Sequence, residues 1–167
     1  KNPMQNFIPD IEDLMSPQKT IGDGITSLAP ERIYSNEGNP PLIDLLGRGC
    51  NRLLDIGCGA GDNADLIKSS YSECDVFGIT HSAVEADLAR KYMERCWVFD
   101  IEGELPTDLA HQSFDVLLFS HVLEHLRDPA VVLARFSQLL NPGGQVLIAV
   151  PNILSWRMRF QFLWGNF

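Results

Sequence analysis

From residue 40 onward, apolar runs of strand length alternate with stretches whose apolar residues recur every three or four positions. Continuous apolar runs bounded by turn residues read as buried strands, and the longer period reads as helices with one face on a core. On this basis residues 52–56, 75–80, 97–99, 114–120 and 145–150 are predicted strands, and 63–69, 82–93 and 128–140 are predicted helices. Pro40 and Pro41 suit the first turn of a further short helix, with Leu42, Ile43, Leu45 and Leu46 on the core and Gly47 and Gly49 after it. Ser82-Ala83-Val84-Glu85 has the form of a capping box, and Asp128 followed by Pro129 that of a capped first turn. Asn141-Pro142-Gly143-Gly144 makes the turn into the last strand. Strand and helix alternating through short joints imply a parallel sheet covered on both faces by helices, an α/β architecture. Residues 1–38, rich in proline and glycine and without sustained periodicity, read as an arm or lid; 39–152 form the core, and 153–167 an amphipathic tail.

Composition narrows the function more than the fold. The chain has 167 residues, 45% of them hydrophobic and 21% charged, as expected of one globular domain. Its net charge of −9 repels a phosphate backbone or an anionic bilayer, and the single basic cluster is Arg157 with Arg159. Nucleic acid is therefore not an expected partner. No apolar run approaches the ~20 residues a bilayer demands, and residues 1–30 hold no secretion-signal core, so the expectation is a cytoplasmic protein without membrane contact. Cys50, Cys58, Cys74 and Cys96 have neither CxxC nor zinc-finger spacing, which reads as reduced thiols and no metal site.

The chemistry is concentrated in Leu53-Leu54-Asp55-Ile56-Gly57-Cys58-Gly59-Ala60-Gly61-Asp62, where an apolar strand delivers three alternating glycines to a helix start. Without Cβ atoms the backbone can close on a ligand, and the helix N-terminus favours negative charge. A nicotinamide site would also use such a loop, since Gly59-Ala60-Gly61-Asp62-Asn63-Ala64 fits GxGxxA. That fingerprint needs its first glycine at the strand end and an acid about 20 residues later, and the region around Ile79 and Thr80 has none.

The chain resembles the class I S-adenosylmethionine-dependent methyltransferases, whose first motif is DxGxGxG. Val76-Phe77-Gly78-Ile79-Thr80-His81-Ser82 resembles their second-strand motif, and Asp100 the acid after strand three. Phe114-Asp115-Val116-Leu117-Leu118 with Ser120-His121-Val122-Leu123-Glu124-His125-Leu126 resembles the fourth-strand motif, and Leu140-Asn141-Pro142-Gly143-Gly144 the turn before strand five. The resemblance implies a doubly wound, Rossmann-like parallel sheet of order 3-2-1-4-5, here lacking the usual C-terminal strands 6 and 7, with S-adenosylmethionine as cofactor. It implies that Asp55 with Gly57, Cys58, Gly59 and Gly61 holds the methionine part, and that Thr80 and His81 lie by the ribose and adenine. Asp100 would accept from the adenine amino group, Ile101 flank the ring, and the Ser120 backbone face the amino-acid tail. One departure stands out: most of the superfamily carry Asp or Glu where this chain has Thr80, a form that resembles the cyclopropane fatty acid synthases.

His121-Val122-Leu123-Glu124-His125 groups side chains that one helical turn brings together. Three readings stand for this cluster: His125 as general base for a small-molecule methyl acceptor, a structural histidine bonded to backbone, and a divalent-metal site, which the resemblance to Glu-x-x-Glu-His segments of some ubiquinone-pathway and small-RNA methyltransferases implies. A methyltransferase-fold module that binds without catalysis is the rival function, and Thr80 is its main support. With seventeen residues after Val150, the expectation is a truncated chain, or an open fifth-strand edge covered by a homodimer partner.

Overall fold

The computed structural model describes residues 38–47 and 49–152. The expected arm, apart from Gly38, and the expected tail at 153–167 lie outside the described residues. Within them the elements run α1 (Pro40–Ile43), β1 (Arg52–Ile56), α2 (Asp62–Ser70), β2 (Asp75–Thr80), α3 (Ala83–Ala89), β3 (Arg95–Val98), α4 (Thr107–Ala110), β4 (Phe114–Ser120), α5 (Pro129–Ser137) and β5 (Leu140–Ala149). The sheet has the order β3-β2-β1-β4-β5 with every pairing parallel. That is the order expected from the sequence, and it places β1 and β4 at the centre with the switch point between them.

Alternation along the strands divides the core between the two faces. Leu53, Val76, Val116 and Leu118 pack with Leu42, Ile67 and Ala86 on one face. Leu54, Ile56, Ile79, Leu117 and Phe119 pack with Leu109, Val132 and Phe136 on the other. Neighbouring strand residues point to opposite sides, so an apolar run with helices on both sides buries all of its members. Leu53, Leu54, Ile56, Leu117, Leu118 and Phe119 are fully buried.

Several boundaries differ from the expectation for local reasons. The helix expected over 82–93 stops at Ala89, because Gly78 in β2 draws Met93 over it: a Cβ on Gly78 would collide with Met93 Sδ and stand 2.7 Å from Cys58 Sγ. The third strand starts two residues earlier than expected, at Arg95. The helix α4 was not anticipated, since four residues give no period; it is pinned by Leu109, fully buried, and by Asp108, which accepts from Trp97 Nε1 at 3.1 Å. Leu45 is 63% exposed rather than in the core, because α1 ends at Ile43 and the chain turns away. Asn141-Pro142-Gly143-Gly144 does not precede β5 but bulges out within it: Phe114 pairs with Leu140 and Val116 with Gln145. Gly143 takes φ +81, and Asn141 Nδ2 donates to Asp115 Oδ1 at 2.8 Å, which fixes the bulge against β4.

Candidate active site

At the carboxyl ends of the strands a cleft of about 820 Å³ opens over the switch point. Gly57, Cys58, Gly59 and Asn63 form one wall, Thr80, His81 and Glu85 the floor beside β2, Asp100 and Ile101 the far end, and Ser120, His121 and His125 the opposite wall. The volume is that of a drug-sized ligand site.

The glycine loop is built by backbone conformation. Gly57, Gly59 and Gly61 all take positive φ, at 79°, 53° and 95°, where side chains are strained. The loop amides are used differently from the expectation: Gly57 N and Cys58 N both donate to Ile79 O at 2.8 Å, so they fasten the loop to β2 instead of facing a ligand. Gly61 does not line the cleft; a Cβ there would stand 2.9 Å from Ala89 Cα, and its role is to let α2 pass close to α3. Cys58 lines the wall with its sulfur 3.6 Å from Cys96 Sγ, and that bond together with burial pushes its thiol pKa up, away from a reactive thiolate.

Asp55 lies behind the wall, fully buried and not on the cleft surface. Asn63 Nδ2 donates to its Oδ2 at 3.4 Å, while Oδ1 has no hydrogen-bond partner. Desolvation pushes the Asp55 carboxyl up to about 7; Asn63 works against the rise and Asp62 adds to it. A polar rail runs on from there: Asn39 N donates to Asn63 Oδ1 at 2.9 Å, and Asn39 Nδ2 to Ser120 Oγ at 3.4 Å, across to β4. Neither Asn39 nor Asn63 was singled out from the sequence. The signal for Asn39 was its place before Pro40, where its side chain caps α1 through Leu42 N.

Thr80 and Glu85 are both buried, at 3% and 2% exposure. Thr80 Oγ1 donates to Glu85 Oε2 at 2.7 Å and accepts from Ser82 N at 3.2 Å, while Ser82 Oγ accepts from Glu85 N at 3.2 Å. Half of the expected capping box is therefore present, and the Glu85 carboxylate goes to Thr80 instead of the Ser82 amide. Glu85 was read as a cap and missed as a cleft residue.

At the far end Asp100 is exposed, with Oδ1 accepting from Glu102 N at 2.9 Å in a tight turn. Ile101 lines the cleft, and Arg135 Nη1 donates to its carbonyl at 3.3 Å. His81 is an exposed loop residue on the cleft edge. On the opposite wall Leu123–His125 forms a 3-10 turn, preceded by His121 at φ 56, an unusual conformation for a residue with a side chain. His121 Nδ1 lies 3.5 Å from Glu124 Oε1, and His125 is exposed to the cleft. No set of three His, Cys, Asp or Glu side chains suited to a metal ion occurs among the described residues. Among them no helix is long and apolar enough to cross a membrane.

Comparison with known proteins gives this geometry a family. The family model for a methyltransferase domain matches residues 17–167. The chain is 32% identical over 125 residues to the ubiquinone biosynthesis O-methyltransferase of Aromatoleum aromaticum, covering 70% of this chain and 53% of that protein. It is 29% identical over 130 residues to the trans-aconitate 2-methyltransferase of Methylobacterium nodulans, covering 72% and 48%. The chain thus spans about half the length of these curated relatives. Among solved structures, coclaurine N-methyltransferase bound to N-methylheliamine and SAH aligns with a TM-score of 0.53 at 20% identity, covering 64% of this chain and 33% of that one. The putative methyltransferase in complex with the Haloferax volcanii Trm112 activator aligns at 0.54 and 21% identity, covering 64% and 48%. The chain belongs to the methyltransferase domain family, and its sheet is the Rossmann-like one of the class I enzymes.

Proposed function

We propose that this domain binds S-adenosylmethionine in the cleft and transfers its methyl group to a small-molecule acceptor. The observation that carries the reading is Asp55. A fully buried carboxyl oxygen without a partner, one layer behind the glycine loop at the sheet's switch point, is a polar cost that stability does not explain and that a ligand in the cleft in front of it would offset. The residues present fit this cofactor, which needs a place for an amino-acid tail, a ribose and an adenine. Gly57, Cys58, Gly59 and Asn63, with Asp55 behind them bonded to Asn63 and Ser120 opposite, would hold the tail, and Asp100 and Ile101 the adenine. Thr80 and His81 lie between these groups and the rest of the cleft floor.

When bound, the cofactor supplies an electrophilic sulfonium methyl with a neutral thioether as leaving group. The protein's own contribution is proximity and orientation. The fastening of Gly57 and Cys58 to Ile79, and the rail from Asp55 to Ser120, set that orientation before any ligand arrives. His125 takes the proton when the acceptor is a hydroxyl or protonated amine, standing on the wall opposite the glycine loop. The net charge of −9 favours a small acceptor over a nucleic acid.

Calorimetric titration with S-adenosylhomocysteine, followed by incubation with methyl-labelled cofactor and a metabolite extract read by mass shift, tests this reading. Binding at low micromolar ligand and a labelled small molecule are expected. Silence at high micromolar ligand overturns it. In His125→Asn the binding heat persists and turnover falls.

A further inference from the structure

We propose that Cys50 and Cys74 form a reversible disulfide when a small hydroperoxide reaches them, with Cys50 as the sulfur that meets the oxidant and Cys74 as the one that resolves it. The pair stands just before β1 and β2, at the amino end of the sheet and opposite the cleft, so the inference is independent of what the cleft binds.

The two thiols are placed for a bond. Cys50 Sγ lies 3.1 Å from Cys74 Sγ, and a disulfide of about 2 Å needs the sulfurs to close by only about an ångström. The backbone brings them together: Arg52 pairs with Asp75 in parallel register, and Asp75 N donates to Asn51 O at 2.7 Å, one residue past each cysteine. Neighbouring strands run about 4.8 Å apart, inside the Cα separation of about 4.4–6.8 Å that a disulfide spans.

Access differs between the two sulfurs. Cys74 is 1% exposed, whereas Cys50 is half-buried and lines a cavity of about 200 Å³. A Cβ on Gly47 or on Gly49, both on the wall of that cavity, would meet nothing within 4 Å, so the approach to Cys50 is open. Space on the scale of a few waters of about 30 Å³ each admits hydrogen peroxide but not a peptide disulfide the size of oxidised glutathione. Asp115, whose carboxyl is held below the usual range and is therefore ionised, also lines the cavity and disfavours an anionic oxidant.

The hydrogen bond between the sulfurs supplies the chemistry. It pushes the Cys74 thiol down, with help from the Lys68 charge, and pushes Cys50 up together with burial, so passing the shared proton moves thiolate character from one sulfur to the other. The Cys50 sulfur attacks one peroxide oxygen; the S–O bond forms, the O–O bond breaks, and the departing oxygen leaves as water with the Cys50 proton. The Cys74 sulfur then attacks the resulting sulfenic acid; the S–S bond forms, the S–O bond breaks, and the hydroxyl leaves as a second water with the Cys74 proton. Two thiols lose two electrons and two protons, and one peroxide becomes two waters. The bond joins residues 24 positions apart around β1, the glycine loop and α2, which braces that unit from the end remote from the cleft. The other close pair, Cys58 and Cys96, stands at 3.6 Å with both residues buried, and it serves as the internal control.

The test treats the reduced full chain with hydrogen peroxide, caps the remaining thiols with an alkylating reagent and maps the peptides by mass. A Cys50–Cys74 cross-link that dithiothreitol removes is expected, with Tm higher by about 5 °C or more in the oxidised chain. In Cys74→Ser, dimedone should trap a sulfenic acid on Cys50; in Cys50→Ser, Cys74 should stay reduced. Oxidised glutathione at the same concentration should form the cross-link about tenfold more slowly or less. A principal cross-link between Cys58 and Cys96, or sulfinic acid on Cys50 without a cross-link, overturns the proposal on the unaltered chain alone, whether or not the variants fold. Oxidation of Cys74 in Cys50→Ser overturns the order of the two sulfurs, equal rates with oxidised glutathione overturn the choice of oxidant, and an unchanged Tm overturns the bracing.

Discussion

Two aspartates at opposite ends of the central strands show how differently this fold treats a carboxylate. Asp115, at the amino end of β4, accepts from Asn51 N and Arg52 N at 3.0 Å each and from Asn141 Nδ2 at 2.8 Å. The Asn141 bond, assisted by the two amides, holds its carboxyl below the usual carboxylate range. Asp55, at the carboxyl end of β1, is fully buried, with one long bond from Asn63 and an orphaned oxygen, and it is pushed up to about 7. The first carboxylate is satisfied by the chain itself and ties β1, β4 and the β5 bulge together. The second is left wanting at the place where a ligand cleft opens. Stability is served at one end; at the other, on the proposed reading of the cleft, it is given up for a site whose missing partner is the ligand.

The sharpest way to break this comparison is to block the cleft end. A Cβ at Gly57 would collide with the Val122 side chain, and φ there is +79°. Gly57→Val should abolish binding of S-adenosylhomocysteine in calorimetry and also cost stability, since left-handed backbone strains a β-branched residue by about 1–2 kcal/mol. Gly61→Val makes the control: its Cβ meets α3 rather than the cleft, so melting temperature should fall more than ligand affinity. Equal loss of affinity in both variants would mean that the cleft is not the ligand site.

The next largest effect is a pH dependence. Between an unfolded value of 3.8 and a folded value of about 7, folded Asp55 keeps a proton that the unfolded chain has released. The unfolded state binds fewer protons in that window, so stability should fall as pH rises from about 4 to about 7 and then level off, by at most about 4 kcal/mol. Urea denaturation across this range measures the slope, and Asp55→Asn should flatten it while raising stability at pH 8. Asp115 has the opposite sign and a separate window. Its folded value is depressed, so its contribution is present above the unfolded value and lost as pH falls through the folded one. Asp115→Ala should cost about 2 kcal/mol at neutral pH from the loss of partly exposed hydrogen bonds, with no change in ligand affinity.

The same contrast explains what the sequence could reveal. Strands β1, β2 and β4 were legible to the residue because each is an uninterrupted apolar run between turn signals, and the glycine trio was legible because only positive φ calls for glycine at three alternate positions. The departures arise where a tertiary contact decides. Nothing local says that Asn141–Gly144 is a bulge, since the Asp115 carboxylate that captures Asn141 lies 26 residues away. The amides of Gly57 and Cys58 turn to Ile79 because β2 lies beside β1, a pairing across 23 residues. Glu85 was hidden for the opposite reason, because a perfectly good local explanation, the capping box, was available and only half true.

The smallest effect sharpens the comparison within the cleft itself. Asp100 is a carboxylate of a third kind: exposed, yet with Oδ1 already taken by Glu102 N at 2.9 Å. If it accepts from the adenine amino group, it does so with its second oxygen, in contact with water. Asp100→Asn separates the two roles, because the amide oxygen can still accept from Glu102 N and keep the turn, while the group presented to the ligand becomes a donor. The folded state should be as stable as before, and affinity for S-adenosylhomocysteine should fall by about 1 kcal/mol, roughly fivefold, the net worth of one hydrogen bond in competition with water. Inosine-containing S-adenosylhomocysteine, whose ring presents an oxygen in place of the amino group, should recover part of the loss in the variant. Undiminished affinity in Asp100→Asn, with no preference between the adenine and inosine ligands, would leave Asp100 as a turn residue.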